Sequence, residues 1–525
     1  SRHFAASVAA GALAAAFFAP AAYAQQTTAS LRGVAVDDAG APIAGASVTI
    51  VHKPSGTKTT LVTDAAGVFD ARGLRVGGPY MVLGKAPKLQ DQTLNDIYLT
   101  VGDAGRVTLN FSAATEVAAV TVSGKKKSYA DLANVGSRTT LKAADIEQVV
   151  SVKRDIRDVA RRDPLAQLDF VSRGTGPSGG LYIAGSSPRR NRITIDGVRS
   201  QDDYGLNTGG LSTNRGPVSL EAIEQIAVQA TPFDVEDGDF TGGALNMILK
   251  SGGNDFHGSF FDLYRTPRLL GNRLQQFSTA TNADGTIRLL QSTAKIKNYV
   301  HDTNYGAFLS GPIIRDRLFF AVSYEKYSSF DVTAAGPAGL GFGTLFNKIP
   351  GISAGANATA ADINTALAGW NNYAASSTLK PGQVDQVQPV NDEKSSIKLD
   401  YNLTDNQRIS ASYRHAFSSV AKRSPSATTF SLDTNWYSQP ENEDNYALQL
   451  NSKWSPELTT EARVSYRGYQ RGQLPPEGQG FANFSICTDA LSAGSTTSCT
   501  SGTPSINFGP DQFRQANVLK TTDLA

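Results

Sequence analysis

Residues 396–414, SIKLDYNLTDNQRISASYR, alternate between polar and apolar side chains on either side of a short polar break. Apolar residues occupy positions 397, 399, 401 and 403, and again positions 409, 411 and 413. Because successive side chains of a β-strand point to opposite faces, this period of two predicts two strands. The break Thr404-Asp405-Asn406 has the residues of a tight turn, so the two strands are expected to form an antiparallel hairpin.

The same alternation returns elsewhere between residue 255 and the end of the sequence. It is clear at 317–324, 445–454 and 461–467, weaker at 258–264 and 305–313, and possible at 512–521. Long polar spans at 265–304, 328–395, 416–444 and 472–511 take turns with tight connections at 315–316, 404–406 and 455–458. Strands of ~10 residues with long loops on one side and short turns on the other are typical of an outer-membrane β-barrel. A soluble β-sandwich, which is the alternative, does not need this rhythm.

The number of strands sets the size of such a barrel. Eight strands can close a barrel, but its own side chains then fill the interior. The compact Gly-rich segment at 136–253 would not fit inside, whereas a barrel of roughly 22 strands encloses a plugged lumen. We therefore expect an incomplete outer-membrane barrel at 254–525, with further strands beyond residue 525.

Composition narrows the class of protein. The 49 Lys and Arg residues balance the 47 Asp and Glu residues, so the formal net charge is +2. A chain so nearly neutral lacks the positive field that binding nucleic acid requires, and no nucleic-acid partner is expected. Charged residues make up only 18% of the chain, below the ~25% usual in soluble domains. Beyond the first few dozen residues no run of ~18 apolar residues offers a membrane-spanning helix.

The first 24 residues have the pattern of a signal peptide. Arg2 and His3 give a basic start, residues 5–18 are apolar, and Ala22-Tyr23-Ala24 supplies a small-x-small cleavage site. A buried Ala-rich helix is the alternative. Export combined with a barrel predicts the outer membrane of a Gram-negative bacterium, with the N-terminal domain in the periplasm.

The two cysteines, Cys487 and Cys499, lie in one Ser/Thr/Gly-rich stretch. In an oxidising compartment they are predicted to close a short loop by a disulfide, although a metal-binding pair is the alternative. The five His residues are scattered without ligand spacing, so we expect neither a metal nor another cofactor. The chain also lacks a convincing catalytic constellation, and an enzyme is not expected.

Residues 29–111 alternate short apolar stretches with Gly- and Pro-rich turns, which predicts a small β-sandwich. Residues 33–37 (GVAVD), 40–48 (GAPIAGASV) and 63–69 (TDAAGVF) resemble the carboxypeptidase regulatory-like domain. The resemblance implies a prealbumin-like sandwich, of the group with carbohydrate-binding-like folds, that carries no catalytic residues. A spacer or docking module is favoured over a sugar site.

Residues 136–253 are expected to form a compact α/β domain. Short helices are predicted at 144–150 and at 219–226, the second with Ser219 as its N-cap, and strands at 191–198 and 226–229. An α/β domain placed before a large barrel resembles the plug of a TonB-dependent outer-membrane receptor. The motifs that carry this resemblance are 191–198 (NRITIDGV), 220–226 (LEAIEQI), 242–246 (GGALN) and 250–259 (KSGGNDFHGS).

Residues 310–325, SGPIIRDRLFFAVSYE, resemble the first barrel hairpin of the Oar-like subgroup of these receptors. That subgroup typically carries an N-terminal carboxypeptidase regulatory-like domain as well. The resemblance implies a mainly β protein with a signal peptide, a sandwich, an α/β plug and part of a transmembrane antiparallel barrel of ~22 strands.

The linker at 112–135 contains an exposed β-branched strand at 116–124, EVAAVTVSG. Such a strand is a liability unless a partner pairs with its edge, although a plain inter-domain strand is the alternative. The resemblance implies a TonB box, in which TonB adds a strand to Val117, Val120, Thr121, Val122 and Ser123. Energy would come from the inner membrane through TonB with ExbB and ExbD. The other partners implied are outer-membrane lipids and an unidentified extracellular ligand.

The function predicted from this resemblance is energised uptake of a ligand through a plugged barrel. Two alternatives stay open: an outer-membrane surface adhesin without transport, and a secreted sugar-binding protein or hydrolase, which the barrel alternation disfavours. Siderophores, carbohydrates, peptides and proteins are all possible ligands, because the long loops have no readable code.

Overall fold

The computed structural model describes residues 27–113, 138–230, 241–295, 301–332, 387–422, 429–475, 483–487, 505–511 and 517–525, together with 364, 368 and 382. Within these ranges it leaves out residues 103, 152, 170–178, 208, 267, 270–272, 456 and 457. The chain forms three consecutive β-rich units, which we call the sandwich, the plug and the barrel sheet. No helix among the described residues is long and apolar enough to cross a membrane.

The sandwich occupies residues 27–113 and has two sheets, one of three strands and one of four. Their order is β4-β1-β7 and β3-β2-β5-β6. Alternate side chains of the second strand point inward, so Val48 and Ile50 share one core with the ring of Phe69. A Cβ atom at position 33 would lie 2.1 Å from that ring, so the Phe69 ring fits here because residue 33 is glycine. The strands are β1 (Ala29–Asp37), β2 (Ser47–His52), β3 (Lys58–Val62), β4 (Val68–Leu74), β5 (Gly77–Lys85), β6 (Gln92–Leu99) and β7 (Ala104–Phe111).

The plug follows, with a five-stranded sheet of order β12-β11-β14-β13-β8. Every residue of its central strand is buried, which fits a strand with neighbours on both sides. The elements are β8 (Arg138–Lys142), α1 (Ala143–Glu147), α2 (Ile156–Ala160), β9 (Ala166–Leu168), β10 (Leu181–Ile183), β11 (Arg192–Ile195), β12 (Val198–Arg199), β13 (Ile223–Gln229) and β14 (Ala244–Leu249), with 3-10 turns at Pro188–Arg190 and Leu220–Ala222.

The helix predicted at 219–226 is wrong. Only Leu220–Ala222 forms a 3-10 turn, and Ser219 makes no side-chain cap hydrogen bond. From Ile223 onward the chain is strand β13, which pairs with β14 on one side and β8 on the other. Two ladders of backbone hydrogen bonds outweigh the weak intrinsic preference of one short segment for a helix. The helix predicted at 144–150 is present as the shorter α1.

The barrel sheet contains eight antiparallel strands in the order β15-β18-β19-β20-β21-β23-β24-β27. They correspond to the eight stretches of alternating sequence, and Tyr401 lies opposite Ile409 in the hairpin formed by residues 396–414. The elements of this region are β15 (His257–Arg265), β16 (Arg273–Thr281), β17 (Ile287–Lys295), β18 (Asp302–Ile314), β19 (Leu318–Val332), β20 (Val387–Asn402), β21 (Gln407–Lys422), β22 (Thr429–Ser431), β23 (Tyr437–Lys453), β24 (Thr459–Gln473), β25 (Phe484–Cys487), β26 (Ser505–Phe508) and β27 (Asn517–Leu524), with a 3-10 turn at Asp433–Asn435.

The long connections have structure that the alternation did not predict. Strands β16 and β17 form a separate hairpin between β15 and β18. Strands β22, β26 and β25 form a small sheet from two neighbouring loops, in which the rings of Phe484 and Phe508 stack at 5.3 Å. The loops therefore pack on one another at the long-loop end of the barrel sheet.

The exposed face of the barrel sheet is apolar and its covered face is polar. Phe260 is 74% exposed and Val464 is 60% exposed, whereas Lys394 and Arg467 are buried. A water-soluble sheet would bury the apolar set instead. The inversion is the one that an outer-membrane barrel requires, with apolar side chains toward lipid and polar side chains toward the lumen.

Candidate functional site between plug and barrel

Charged side chains on the covered face of the barrel sheet contact the plug in three clusters, and Lys398 of β20 separately pairs with Asp196 of the plug at 3.1 Å. Burying a charge is costly unless a partner of opposite sign and hydrogen bonds compensate for the lost water. The first cluster surrounds Arg215, which lies in the plug loop before β13 and is fully buried. Its guanidinium lies 3.2 Å from Glu325 of β19 and 3.2 Å from Asp392 of β20.

Further contacts hold the Arg215 guanidinium in place. Its Nε donates to the backbone carbonyl of Lys153 at 3.0 Å, and its Cζ atom lies 4.0 Å from the ring centroid of Tyr327. Burial disfavours the charge, but the carboxylates of Asp392 and Glu325 raise the pKa of Arg215 above its ordinary value. The plug therefore contributes a permanent cation to a pair of barrel carboxylates, with Lys394 3.3 Å from Asp392 beside them.

The second cluster joins the plug loop after β12 to strands β23 and β24. Glu443 accepts hydrogen bonds from Ser200 at 2.8 Å and from Ser212, and its other oxygen accepts one from Arg467 at 2.9 Å. Arg467 also forms an ion pair with Asp203 at 2.6 Å and donates to the Gln201 carbonyl at 2.6 Å. Plug and barrel side chains thus neutralise one another's charges and provide one another's hydrogen-bond partners.

The third cluster lies next to the second. Arg471 of β24 is 3.5 Å from Asp202 of the plug and 3.1 Å from Glu441 of β23. The rings of Tyr204 and Tyr469 stack across the same interface at 5.9 Å. Charge and hydrogen bonding, more than apolar packing, therefore hold this loop against the barrel.

Within the plug, the side chain of Arg157 in α2 binds to three separate segments of the chain. Little regular secondary structure connects these segments otherwise. Its guanidinium lies 2.5 Å from Asp155 and donates to the carbonyls of Gly179 at 3.0 Å and Asn214 at 2.6 Å. Although burial opposes it, the charge and hydrogen bonds of Arg157 lower the pKa of Asp155. Asp155 also caps the helix, because its side chain accepts from the Arg157 backbone N–H.

Replacing Arg157 by methionine should destabilise the plug by about 3–5 kcal/mol, because Asp155 would stay buried without its cation. Chymotryptic cleavage of the plug in outer-membrane vesicles, followed across a urea series, measures the change. The matched control is Arg161→Met one turn later, since the Arg161 side chain is 41% exposed and its Nε lies 3.8 Å from Asp158, too far for a strong hydrogen bond. Equal urea midpoints for the two variants would contradict the role assigned to Arg157.

The sandwich covers the short-turn end of the barrel sheet, and His52 lies at this junction. The ring of His52 is buried, packs at 4.7 Å from the ring of Tyr80, and shares a hydrogen bond of 2.7 Å with the Ser55 hydroxyl. A cavity of about 120 Å³ next to it is lined by all three units, among them Asp196 and Glu224 of the plug and Lys398 of the barrel sheet.

Burial lowers the pKa of His52 to about 3, and the nearby positive charges of Arg75 and Arg408 lower it further against the opposing effect of Asp400. The folded state therefore holds His52 neutral. Because its folded pKa is below the ordinary value of 6.5, the stability that depends on neutral His52 is complete above pH 6.5 and is lost as the pH falls toward 3.

Acidification from pH 7.5 to 5 should therefore weaken the sandwich by about 2 kcal/mol through His52. Hydrogen exchange of β2 and β5 in the complete protein measures this change. His52→Phe keeps an aromatic ring but cannot be protonated, so the variant should show a smaller decrease. An identical pH dependence in the two proteins would rule out His52 as its source.

The site residues predicted from the sequence stay predictions. Val117, Val120, Thr121, Val122 and Ser123 lie in 114–137, outside the described residues, as do the predicted signal peptide at 1–24 and Cys499. Cys487 ends strand β25 in the loop sheet. Sequence reasoning missed the interface charges, although Arg467 occupies a polar position of the alternating stretch 461–467, which was the available signal. Glu443 lies in the span 416–444, which was predicted as a long connection, and the structure instead places it on strand β23.

Three family models match the chain, one for each unit. The outer membrane beta barrel domain matches residues 248–523, more than half of the chain. The TonB-dependent receptor plug domain matches 131–245, and the carboxypeptidase regulatory-like domain matches 30–113. The domain order predicted from the sequence motifs agrees with these matches.

The chain is also similar to characterised proteins. It is 26% identical over 315 residues to the TonB-dependent transporter Oar of Myxococcus xanthus, covering 58% of this chain but only 28% of that protein. Among solved structures, the outer membrane transporter YddB of Escherichia coli matches with a TM-score of 0.44 and 11% identity, covering 74% of this chain and 44% of that one. The siderophore receptor PirA of Acinetobacter baumannii matches with a TM-score of 0.39 and 17% identity, covering 65% and 40%.

Proposed function

The chain belongs to the outer-membrane β-barrel family and carries the plug of TonB-dependent receptors, and from this premise we propose that it takes up a ligand across the outer membrane with energy from TonB. The observation that supports this best is the polar interface around Arg215, Glu443 and Arg467. Water can replace each of these contacts, whereas a large apolar interface would resist hydration. Such a plug is stable at rest and can still be displaced.

The proposed mechanism begins in the linker. TonB pairs with the strand around Val120, Thr121 and Val122 by strand addition, and ExbB and ExbD energise the pull from the inner membrane. The linker leads into β8, which lies at the edge of the plug sheet and pairs there with β13. An edge strand held by one ladder separates more easily than a central strand, so within the plug sheet β8 is the strand on which the pull acts first. Movement of the plug then opens a path for the ligand.

This mechanism places the barrel in the outer membrane of a Gram-negative bacterium, with the sandwich and the short turns in the periplasm. Short periplasmic turns and long extracellular loops are the usual arrangement in such barrels. The loop sheet of β22, β26 and β25 would then face the medium, where it contributes to holding the ligand. Transport of this kind requires no catalytic residue, and we do not propose an enzymatic activity.

Uptake can be tested without knowing the ligand. Cells are grown in a complex medium, and depletion of its components is followed by untargeted mass spectrometry. We expect at least one component that wild-type cells deplete and that cells lacking this gene, or lacking TonB, leave in the medium. If deletion of the gene changes only surface attachment while all depletion continues, the protein is an adhesin and the proposal is wrong.

A further inference from the structure

The sandwich is attached to strand β13, which has paired strands on both sides in the plug sheet. Gln225 of β13 is buried, and its amide accepts from the Val101 backbone N–H at 3.2 Å and donates to the Leu99 carbonyl at 3.0 Å. The Val101 side chain is fully buried in one cluster with Ala227 and Ile248 of the plug. One side-chain amide and a small apolar cluster thus join the turn between β6 and β7 to the plug sheet.

The same domain is also attached to the barrel sheet. Arg75, which follows β4, lies 3.5 Å from Asp400 of β20, donates to the Asn402 side chain at 3.0 Å, and lies 5.8 Å from the ring centroid of Phe319. The side chains of Arg75 and Asp400 are 6% and 3% exposed. The sandwich therefore buries a charge pair at the barrel wall, where Asp400 also accepts a hydrogen bond from Ser410 at 2.6 Å. Removing either partner of the pair would take a favourable charge away from a buried group.

Three polar contacts surround this charge pair at the tight turns. The Asn402 side chain donates to the Thr57 hydroxyl at 3.2 Å, Lys453 donates to the Thr60 carbonyl at 3.1 Å, and the Asn254 backbone N–H donates to the Pro54 carbonyl at 2.6 Å. They come from the ends of β20 and β23 and from the residues before β15. The sandwich is fixed to several parts of the barrel sheet at once.

We propose that the sandwich is a clamp, which holds the plug sheet to the barrel wall and has to release the wall before the plug can move. A domain bound to both bodies resists their separation until one attachment breaks. The attachment to the plug consists mainly of a neutral amide and an apolar cluster, with the Lys142 ammonium 5.8 Å from the ring centroid of Tyr98 beside them. The attachment to the barrel is a buried ion pair surrounded by polar contacts at the turns. Water that enters at the turns can hydrate the contacts between the sandwich and the barrel before those between the sandwich and the plug. The sandwich therefore stays bound to the plug and moves with it.

The clamp adds a step to the proposed function. The clamp proposal rests on that function in one respect, which is that TonB supplies the pulling force. TonB binding at the linker would then not open the passage by itself. The barrel contacts of Arg75 add a threshold that the applied force must exceed. Arg75 is in this sense a positioning residue, since it fixes the plug through the sandwich and touches no ligand.

Mechanical pulling tests the clamp without TonB. The complete protein is placed in lipid nanodiscs, a handle is attached at residue 121, and the time to the first extension is measured at constant force. Arg75→Met should shorten that lifetime at least roughly tenfold, which corresponds to about 1.4 kcal/mol of barrier. Arg72→Met is the matched control, because Arg72 lies on strand β4 with its side chain 73% exposed, and its lifetime should equal that of the wild type.

A reversible tether provides the second test. Thr60→Cys and Lys453→Cys, at an exposed contact between the sandwich and the barrel sheet, are joined by a reducible bifunctional thiosulfonate, which should lengthen the lifetime until the tether is reduced. The same reagent between Tyr98→Cys and Lys142→Cys, whose side chains meet where the sandwich contacts the plug, joins these two units and should leave the first event unchanged. A wild-type lifetime in Arg75→Met, or a barrel tether without effect, would overturn the clamp. Failure of the proposed function is seen separately, as loss of TonB crosslinking at residue 121.

Discussion

Replacing Val120 by proline is expected to abolish the crosslink between residue 121 and TonB. Strand addition depends on main-chain hydrogen bonds, and proline both removes an N–H donor and fits poorly inside a paired strand. A photoreactive benzophenone amino acid at Thr121 reports the contact in living cells. We expect the crosslinked fraction to fall by more than about tenfold, which corresponds to about 1.4 kcal/mol of binding energy.

The matched control for this variant is Ala133→Pro, which lies in the same linker but outside the TonB-box-like strand. It should crosslink as the wild type does, and both variants should show the same amount of barrel in the outer membrane. Equal crosslinking by Val120→Pro and the wild type would show that TonB does not pair with this strand. Loss of crosslinking in Ala133→Pro as well would show that the linker matters only as a spacer.

Replacing Arg215 by methionine should lower the free energy needed to open the plug sheet inside the barrel by about 3–5 kcal/mol. The change leaves Glu325 and Asp392 buried and adjacent, with Lys394 as the nearby cation. Native-state hydrogen exchange of β13 and β14 in the complete protein reports the free energy of opening. Protection should fall throughout the plug sheet, while the barrel strands β20 and β21 keep theirs.

Two further variants separate charge from structure at Arg215. Arg215→Lys keeps the positive charge but loses the fork that reaches both carboxylates, so its protection should be intermediate. Arg189→Met removes an exposed plug arginine and should change the opening free energy by less than about 0.5 kcal/mol. Wild-type protection in Arg215→Met would mean that the ion pairs do not seat the plug.

The barrel strands could be predicted from sequence because each one separates its polar and apolar residues onto two faces. That signal is local, and it needs no knowledge of what the strand pairs with. The second half of strand β13 was predicted as a strand at 226–229, but its first half, from Ile223, carried no such signal. The stability of that half comes from β8 and β14, with which β13 pairs on both sides. A short segment with Ser219 before it and acidic residues within it satisfied the local rules for a helix instead.

The charged residues between plug and barrel also could not be paired from the sequence alone. Arg467 could be placed on the polar face of its strand, but its partner Asp203 is 264 residues away in a Gly-rich loop. Whether a polar position faces water or a buried carboxylate depends on how the plug sits in the barrel sheet. The TonB-box residues, in contrast, came from the resemblance of one exposed β-branched strand, and their role stays a prediction.

Energised uptake depends most directly on a plugged barrel that TonB engages in the outer membrane. The decisive measurement is a semi-native gel of the outer-membrane fraction, heated and unheated, from cells whose intact protein carries the photoreactive residue at position 121. We predict a band whose migration changes on heating and which crosslinks to TonB after irradiation. A heat-modifiable band without a crosslink would contradict energised transport, and a soluble band unaffected by heating would contradict the barrel itself.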